Sequence, residues 1–128
     1  MTPLVGSVAA AKRERWRGRV RVRDGDKRLG AAELGERGLG ERATLVQFSS
    51  AFCAPCRATR RVLTEVAGMV PGVSHVEIDA ERHLDLVRRF GILKTPTVLV
   101  LDADGRIVRR AAGQPRRADV IAALGEAV

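Results

Sequence analysis

Cys53 and Cys56, the only two cysteines of the chain, stand two residues apart around Ala54 and Pro55, and the segments on either side limit what can contain them. Before them lies ATLVQFSS (43–50), an apolar, β-leaning run that suits a buried central strand. After them, in CRATRRVLTEVAGMV, Val62, Leu63, Val66 and Ala67 recur at helical spacing with Arg57, Arg60, Arg61 and Glu65 outside, and Gly68 or Pro71 to Gly72 is the stop. Cys53 is therefore expected where a strand hands over to a helix. A thiol there meets unpaired backbone N–H groups and the positive end of the helix dipole, which stabilise a thiolate. Cys56 follows one turn deeper on the same side, within reach of a disulfide with Cys53. Attack by Cys53 on a substrate disulfide gives a mixed disulfide, which Cys56 then resolves.

The rest of the chain predicts a β-α-β-α-β-α-β-β-α order. RVRVR (19–23) reads as a short strand ending at the Asp24–Gly25 turn, and AAELGERGL (31–39) as a short helix weakened by Gly35 and Gly38. VSHVEID (73–79) alternates as a strand does. ERHLDLVRRFG (81–91) places Leu84, Val87 and Phe90 on one helical face. TPTVLVLD (95–102) and GRIVRRAA (105–112) form a hairpin, and a last helix beginning at Pro115 turns Val120, Ile121 and Leu124 inward. Strands alternating with helices predict an α/β fold: a central, mostly parallel sheet with helices on both faces and a C-terminal antiparallel hairpin.

A chain of 128 residues fits one domain. With aromatics at 3%, its core must be built from Val, Leu, Ile and Ala. The net charge of +8 suggests nucleic acid until its distribution is seen. Residues 1–30 hold nine Lys/Arg against three Asp/Glu, whereas residues 31–128 are close to balanced. The basicity thus belongs to an arm, taken as residues 1–18 and mobile, ahead of a domain at 19–128. The arginines read first as a solvated run that discourages edge-to-edge strand pairing. Weak contact with an acidic membrane surface or RNA is the sharper reading, nothing else in the sequence supports it, and no nucleic-acid partner is expected. Met1 to Ala11 is too short and interrupted for a membrane span, and its basic cluster follows the apolar part, the reverse of a secretion signal. These features place the chain in the cytoplasm, with membrane association as the alternative.

FCAPC at 52–56 is similar to the aromatic-Cys-Gly-Pro-Cys motif of the thioredoxin family, TPT at 95–97 matches its cis-proline loop, and Gly113 follows the hairpin as in that family. The resemblance covers roughly residues 19–128. It implies a thioredoxin-like fold and a protein-disulfide oxidoreductase with Cys53 as nucleophile and Cys56 as resolving thiol. It also implies a cis Pro96 beside the disulfide, and a substrate-docking surface of Phe52, Ala54, Pro55, Thr95, Pro96 and Gly113. Client proteins with disulfides, and a reductase or low-molecular-weight thiol as electron donor, are the implied partners; no bound cofactor is needed. The chain departs from the family at Gln47, where thioredoxins bury an aspartate thought to accept the proton of the second thiol, and at His75, where its lysine partner commonly stands. Ser49 and Ala54 replace a tryptophan and a glycine. Gln47 and His75 are accordingly the proton-handling candidates.

Two other readings compete. Zinc would need Cys53, Cys56, His75 and His83 together, and their spacing fits no finger pattern, so no metal is expected. A redox-inactive, thioredoxin-shaped binding module is the other, since a fold does not fix a function; the intact cysteine pair argues against it.

Overall fold

The computed structural model describes residues 27–35 and 38–128. The expected arm and the strand at 19–23 lie outside the described residues. The elements are α1 (Ala31–Leu34), β1 (Ala43–Ser49), α2 (Ala54–Met69), β2 (Val73–Asp79), a 3-10 turn (Ala80–Arg82), α3 (Leu84–Arg89), β3 (Thr97–Asp102), β4 (Ile107–Ala112) and α4 (Arg117–Ala127). Among the described residues the strands make one sheet in the order β2-β1-β3-β4.

That sheet is mixed rather than mostly parallel: β1 pairs in parallel with β2, whereas β3 is antiparallel to both β1 and β4. The reason lies in the link between β2 and β3. An alternating β-α-β pattern gives parallel strands only if the helix carries the chain back along the sheet. α3 has six residues, about 9 Å at the usual helical rise. Asp79 ends β2 opposite Ser49, and Thr97 begins β3 opposite Phe48, so the connection stays at one end of the sheet and crosses from one side of β1 to the other. This end is where β1 delivers the chain to Cys53.

All seven residues of β1 are buried, because both faces of the strand are covered. On one face Leu45, Val98 and Val100 pack with Leu63 and Val66 of α2 and Val120, Ala123 and Leu124 of α4. On the other, Val46, Phe48, Leu99 and Leu101 pack with Leu34, Leu86 and Phe90. Burial of side chains this size contributes about 1.5–3 kcal/mol each. Two inward residues differ from the sequence expectation. Leu84 is exposed and Leu86 buried, because the backbone departs from helical geometry at His83 and α3 starts there with a new phase. Ile121 is also largely exposed, since the stripe of α4 that meets the sheet is Val120, Ala123, Leu124 and Ala127. α1 is shorter than its segment at 31–39, ending at Gly35, whose φ of +75° leaves the helical region.

Candidate active site

Period-two alternation along β1 sends Leu45, Gln47 and Ser49 to the face covered by α2. In the parallel register Leu45 pairs with His75 and Gln47 with Glu77, so His75 and Glu77 share that face. The helix that opens with the cysteines thus lies over a polar strip on the sheet.

Cys53 is the N-cap of α2. Its Sγ accepts the backbone N–H of Cys56 at 3.2 Å, and Pro55 occupies the first turn, where its missing N–H costs no helical hydrogen bond. The two cysteines are at disulfide distance, with Cα atoms 5.2 Å apart. Their exposure is unequal. Cys53 is half-buried, whereas Cys56 is 1% exposed, so only the first sulfur faces incoming molecules. Ahead of it, Phe52 has a φ of +56° and projects fully into solvent. A left-handed backbone at a non-glycine residue costs roughly 1–2 kcal/mol, and here it turns an aromatic ring outward next to Cys53 in the chain.

The β2–β3 connection completes the site. The Thr95–Pro96 peptide bond is cis. Ser50, the last residue before the turn at 51–52, exchanges a 2.7 Å hydrogen bond with the hydroxyl of Thr95, and the N–H of Gly113 donates to the Pro96 carbonyl at 2.7 Å. The loop is therefore tied to the end of β1 on one side and to the end of β4 on the other. Cys53, Cys56, Thr95, Pro96 and Gly113 are brought to one end of the sheet, with Phe52, Ala54 and Pro55 exposed around them.

Gln47 lies beneath. It is fully buried, and its amide donates to the Cys56 carbonyl at 2.8 Å and to Ser49 Oγ at 2.9 Å, while its Oε1 is 3.2 Å from His75 Nε2. His75 Nδ1 is 3.3 Å from the Thr64 hydroxyl. Beside them Arg60 donates to both carboxylate oxygens of Glu77, at 2.6 and 2.8 Å. Sequence reasoning found Gln47 and His75 but missed Ser50, Thr64, Arg60 and Glu77. The signal was present for the last three: Arg60 and Thr64 are four apart on a helix, and His75 and Glu77 two apart on a strand, so each pair shares a face.

The Arg60 guanidinium holds the Glu77 carboxyl below the usual carboxylate range, against a smaller opposing push from burial and with help from a Ser49 hydrogen bond. A carboxyl depressed in the folded state stabilises the fold above its unfolded value, and this contribution disappears as pH falls through the folded value. Glu77→Gln is expected to cost less than about 1 kcal/mol at pH 7, because the pair is partly solvated, and nothing at a pH low enough to protonate Glu77. Urea midpoints of the two proteins at pH 7 and pH 3 check this, the difference closing at the lower pH.

His83 stands apart, bonded through Nδ1 to the Asp79 carbonyl. Among the described residues no three His, Cys, Asp or Glu side chains are grouped to hold a metal ion.

A surface-facing sulfur capping a helix, a buried partner one turn on and a cis-proline loop alongside define a dithiol/disulfide exchange centre. The thioredoxin family profile matches residues 36–126, and the chain belongs to that family. The thioredoxin of Alicyclobacillus acidocaldarius is 34% identical over 79 residues, covering 60% of this chain and 74% of that protein. The thioredoxin of Mycolicibacterium smegmatis is 30% identical over 87 residues, covering 66% and 77%. The solved thioredoxin of Nicotiana alata superposes with a TM-score of 0.60 at 24% identity, over 68% of this chain and 74% of the other, a likeness of fold. With its cysteine pair at disulfide distance, the protein is a thiol-disulfide oxidoreductase.

Proposed function

We propose that Cys53 attacks disulfides of client proteins, that Cys56 resolves the resulting mixed disulfide, and that the client backbone lies along the Thr95–Pro96 loop between Phe52 and Gly113. The observation that carries the division of roles is the asymmetry of the pair: Cys53 Sγ already accepts a helix N-terminal N–H and is partly exposed, whereas Cys56 is buried. In the reduced protein the same N–H and the helix dipole favour a thiolate on Cys53 over one on Cys56. The electrons come from a reductase or a low-molecular-weight thiol, and the cytoplasm, where such thiols are kept reduced, is the matching compartment.

Limiting iodoacetamide at pH 7, followed by peptide mapping, tests the assignment. Cys53 should be alkylated first, with a rate profile that titrates below the free-cysteine value of about 8.5. Faster labelling of Cys56 would reverse the roles.

A further inference from the structure

The polar strip beneath the cysteines leads from the backbone carbonyl of the buried Cys56, through Gln47, to the half-buried imidazole of His75. An open groove of about 900 Å³ runs beside β2, lined by Arg60, Thr64, Gly68, Ser74, His75 and Glu77 among others. At its floor, His75 is joined to Cys56 through Gln47. The hydrogen-bonding chemistry fixes every orientation in that link. A backbone carbonyl only accepts, so the end of Gln47 facing Cys56 is its NH₂ group, and Oε1 is left for the imidazole. Oε1 also only accepts, so His75 must donate from Nε2, and neutral His75 carries its proton there. Nδ1 then accepts from the Thr64 hydroxyl, which belongs to an exposed residue. If His75 takes up a second proton at Nδ1, Thr64 need only turn its hydroxyl to become the acceptor. The link to Gln47 persists in both charge states, and the arrangement is built to tolerate a change of charge at His75.

We propose that His75 is a positioning residue for the Cys53–Cys56 couple, acting through Gln47: its imidazole binds a proton more tightly when the pair is reduced, so that reduction of the disulfide and protonation of His75 favour one another. The physical path is the carboxamide. A cation at Nε2 polarises Oε1 and strengthens the two N–H donors at the other end, one of which holds the first turn of α2 by the Cys56 carbonyl. In the chemical step a dithiol donor supplies two electrons to the S–S bond, which opens. Cys53 is left as thiolate, Cys56 takes one of the donor's two protons as thiol, and the donor becomes a disulfide. The second proton is released, and His75 recaptures it to the extent that the new negative charge raises its affinity.

Among the described residues lining this groove, His75 is the one whose side-chain type has an ordinary pKa between 5 and 8. Among the described residues of the groove, α2 contributes the charged Arg60, cationic throughout this range, and β2 contributes Glu77, kept ionised by Arg60. β1 contributes the uncharged Gln47 and Ser49, and α1 lines the groove with Leu34.

The inference rests on the exchange reading of the cysteine pair, but its test does not require turnover of any client. The ring protons of His75 are followed by NMR against pH in the full chain, once oxidised with diamide and once reduced with dithiothreitol. The midpoint should lie about half a pH unit higher in the reduced protein, a threefold change in proton affinity. By reciprocity the potential, measured against dithiothreitol buffers between pH 5 and 8, should show an extra inflection that His75→Gln removes, about 15 mV for a threefold change in a two-electron couple. Gln47→Leu should bring the two His75 midpoints together while leaving the imidazole titratable. Equal midpoints in the oxidised and reduced wild type overturn the proposal, and a difference that survives Gln47→Leu overturns the route through the amide. Failure of the protein to reduce a client disulfide, with the His75 difference intact, would instead count against the client-exchange reading alone.

Discussion

Cys56→Ser is expected to accumulate as covalent adducts with client proteins, whereas Cys53→Ser forms none, and both lose disulfide exchange by on the order of 10³-fold or more. The expectation follows from where the two sulfurs sit. Cys53, the partly exposed N-cap of α2, can reach a disulfide in another molecule and is the thiol proposed to begin the reaction. Cys56 is 1% exposed, so it can attack only a sulfur already delivered to Cys53. A serine hydroxyl, with its far higher pKa, does not displace a thiolate, and the mixed disulfide therefore persists when Cys56 is lost. Non-reducing gels after mixing each variant with a disulfide-containing protein give the answer. Adducts in Cys53→Ser equal to those in Cys56→Ser would mean that both sulfurs are accessible. Capture without covalent linkage in the double variant would favour a binding module.

Gly40→Ala should destabilise the protein by about 3 kcal/mol or more, which lowers the melting temperature by roughly 10–20 °C for a domain of this size. A Cβ at this position would lie 2.2 Å from the Ala43 carbonyl oxygen, 2.8 Å from that of Gly72 and 2.9 Å from the Ser74 nitrogen. All three are backbone atoms at the starts of the two parallel strands, and none can swing aside as a side-chain tip would. Gly40 also donates its N–H to the buried Thr44 hydroxyl at 2.8 Å, so moving the residue outward breaks that bond. Gly68 in α2 and Gly125 in α4 make the contrast. A Cβ at either meets nothing within 4 Å, and alanine there should stabilise by about 0.5–1 kcal/mol through helix propensity. Thermal melts of the three variants separate the cases by sign. A Gly40→Ala protein as stable as the wild type would show that the strand starts can spread apart.

The strand-to-helix junction at Cys53 was legible because it is written locally, as an unbroken apolar run followed at once by a 3.6-residue period. The same holds for β2, whose alternation is plain in VSHVEID, and for the hairpin around Gly105, which has the φ of +86° that such a turn requires. Family resemblance added Thr95, Pro96 and Gly113, residues with no local signature of chemistry. The direction of β3 was not legible. It depends on how far α3 carries the chain, and ERHLDLVRRFG looks like one continuous helix until His83 interrupts it and buries Leu86 in place of Leu84.

The sequence by itself determined the elements that can form and the chemistry available to them: a cysteine pair at a helix start, an apolar central strand, and a proline loop ahead of a hairpin. Periodicity and capping act between neighbours in the chain, so they are readable without knowing where anything packs. Only the tertiary structure decided which distant residues meet. The antiparallel entry of β3 placed Thr95 against Ser50 and the cis-proline loop at the cysteines. The parallel register of β1 and β2 set His75 beside Gln47, and the packing of α2 over that face turned the amide of Gln47 toward Cys56 rather than toward solvent. Register and crossover are settled by the burial of whole faces at once, a sum over contacts far apart in sequence, and no short window of residues contains it.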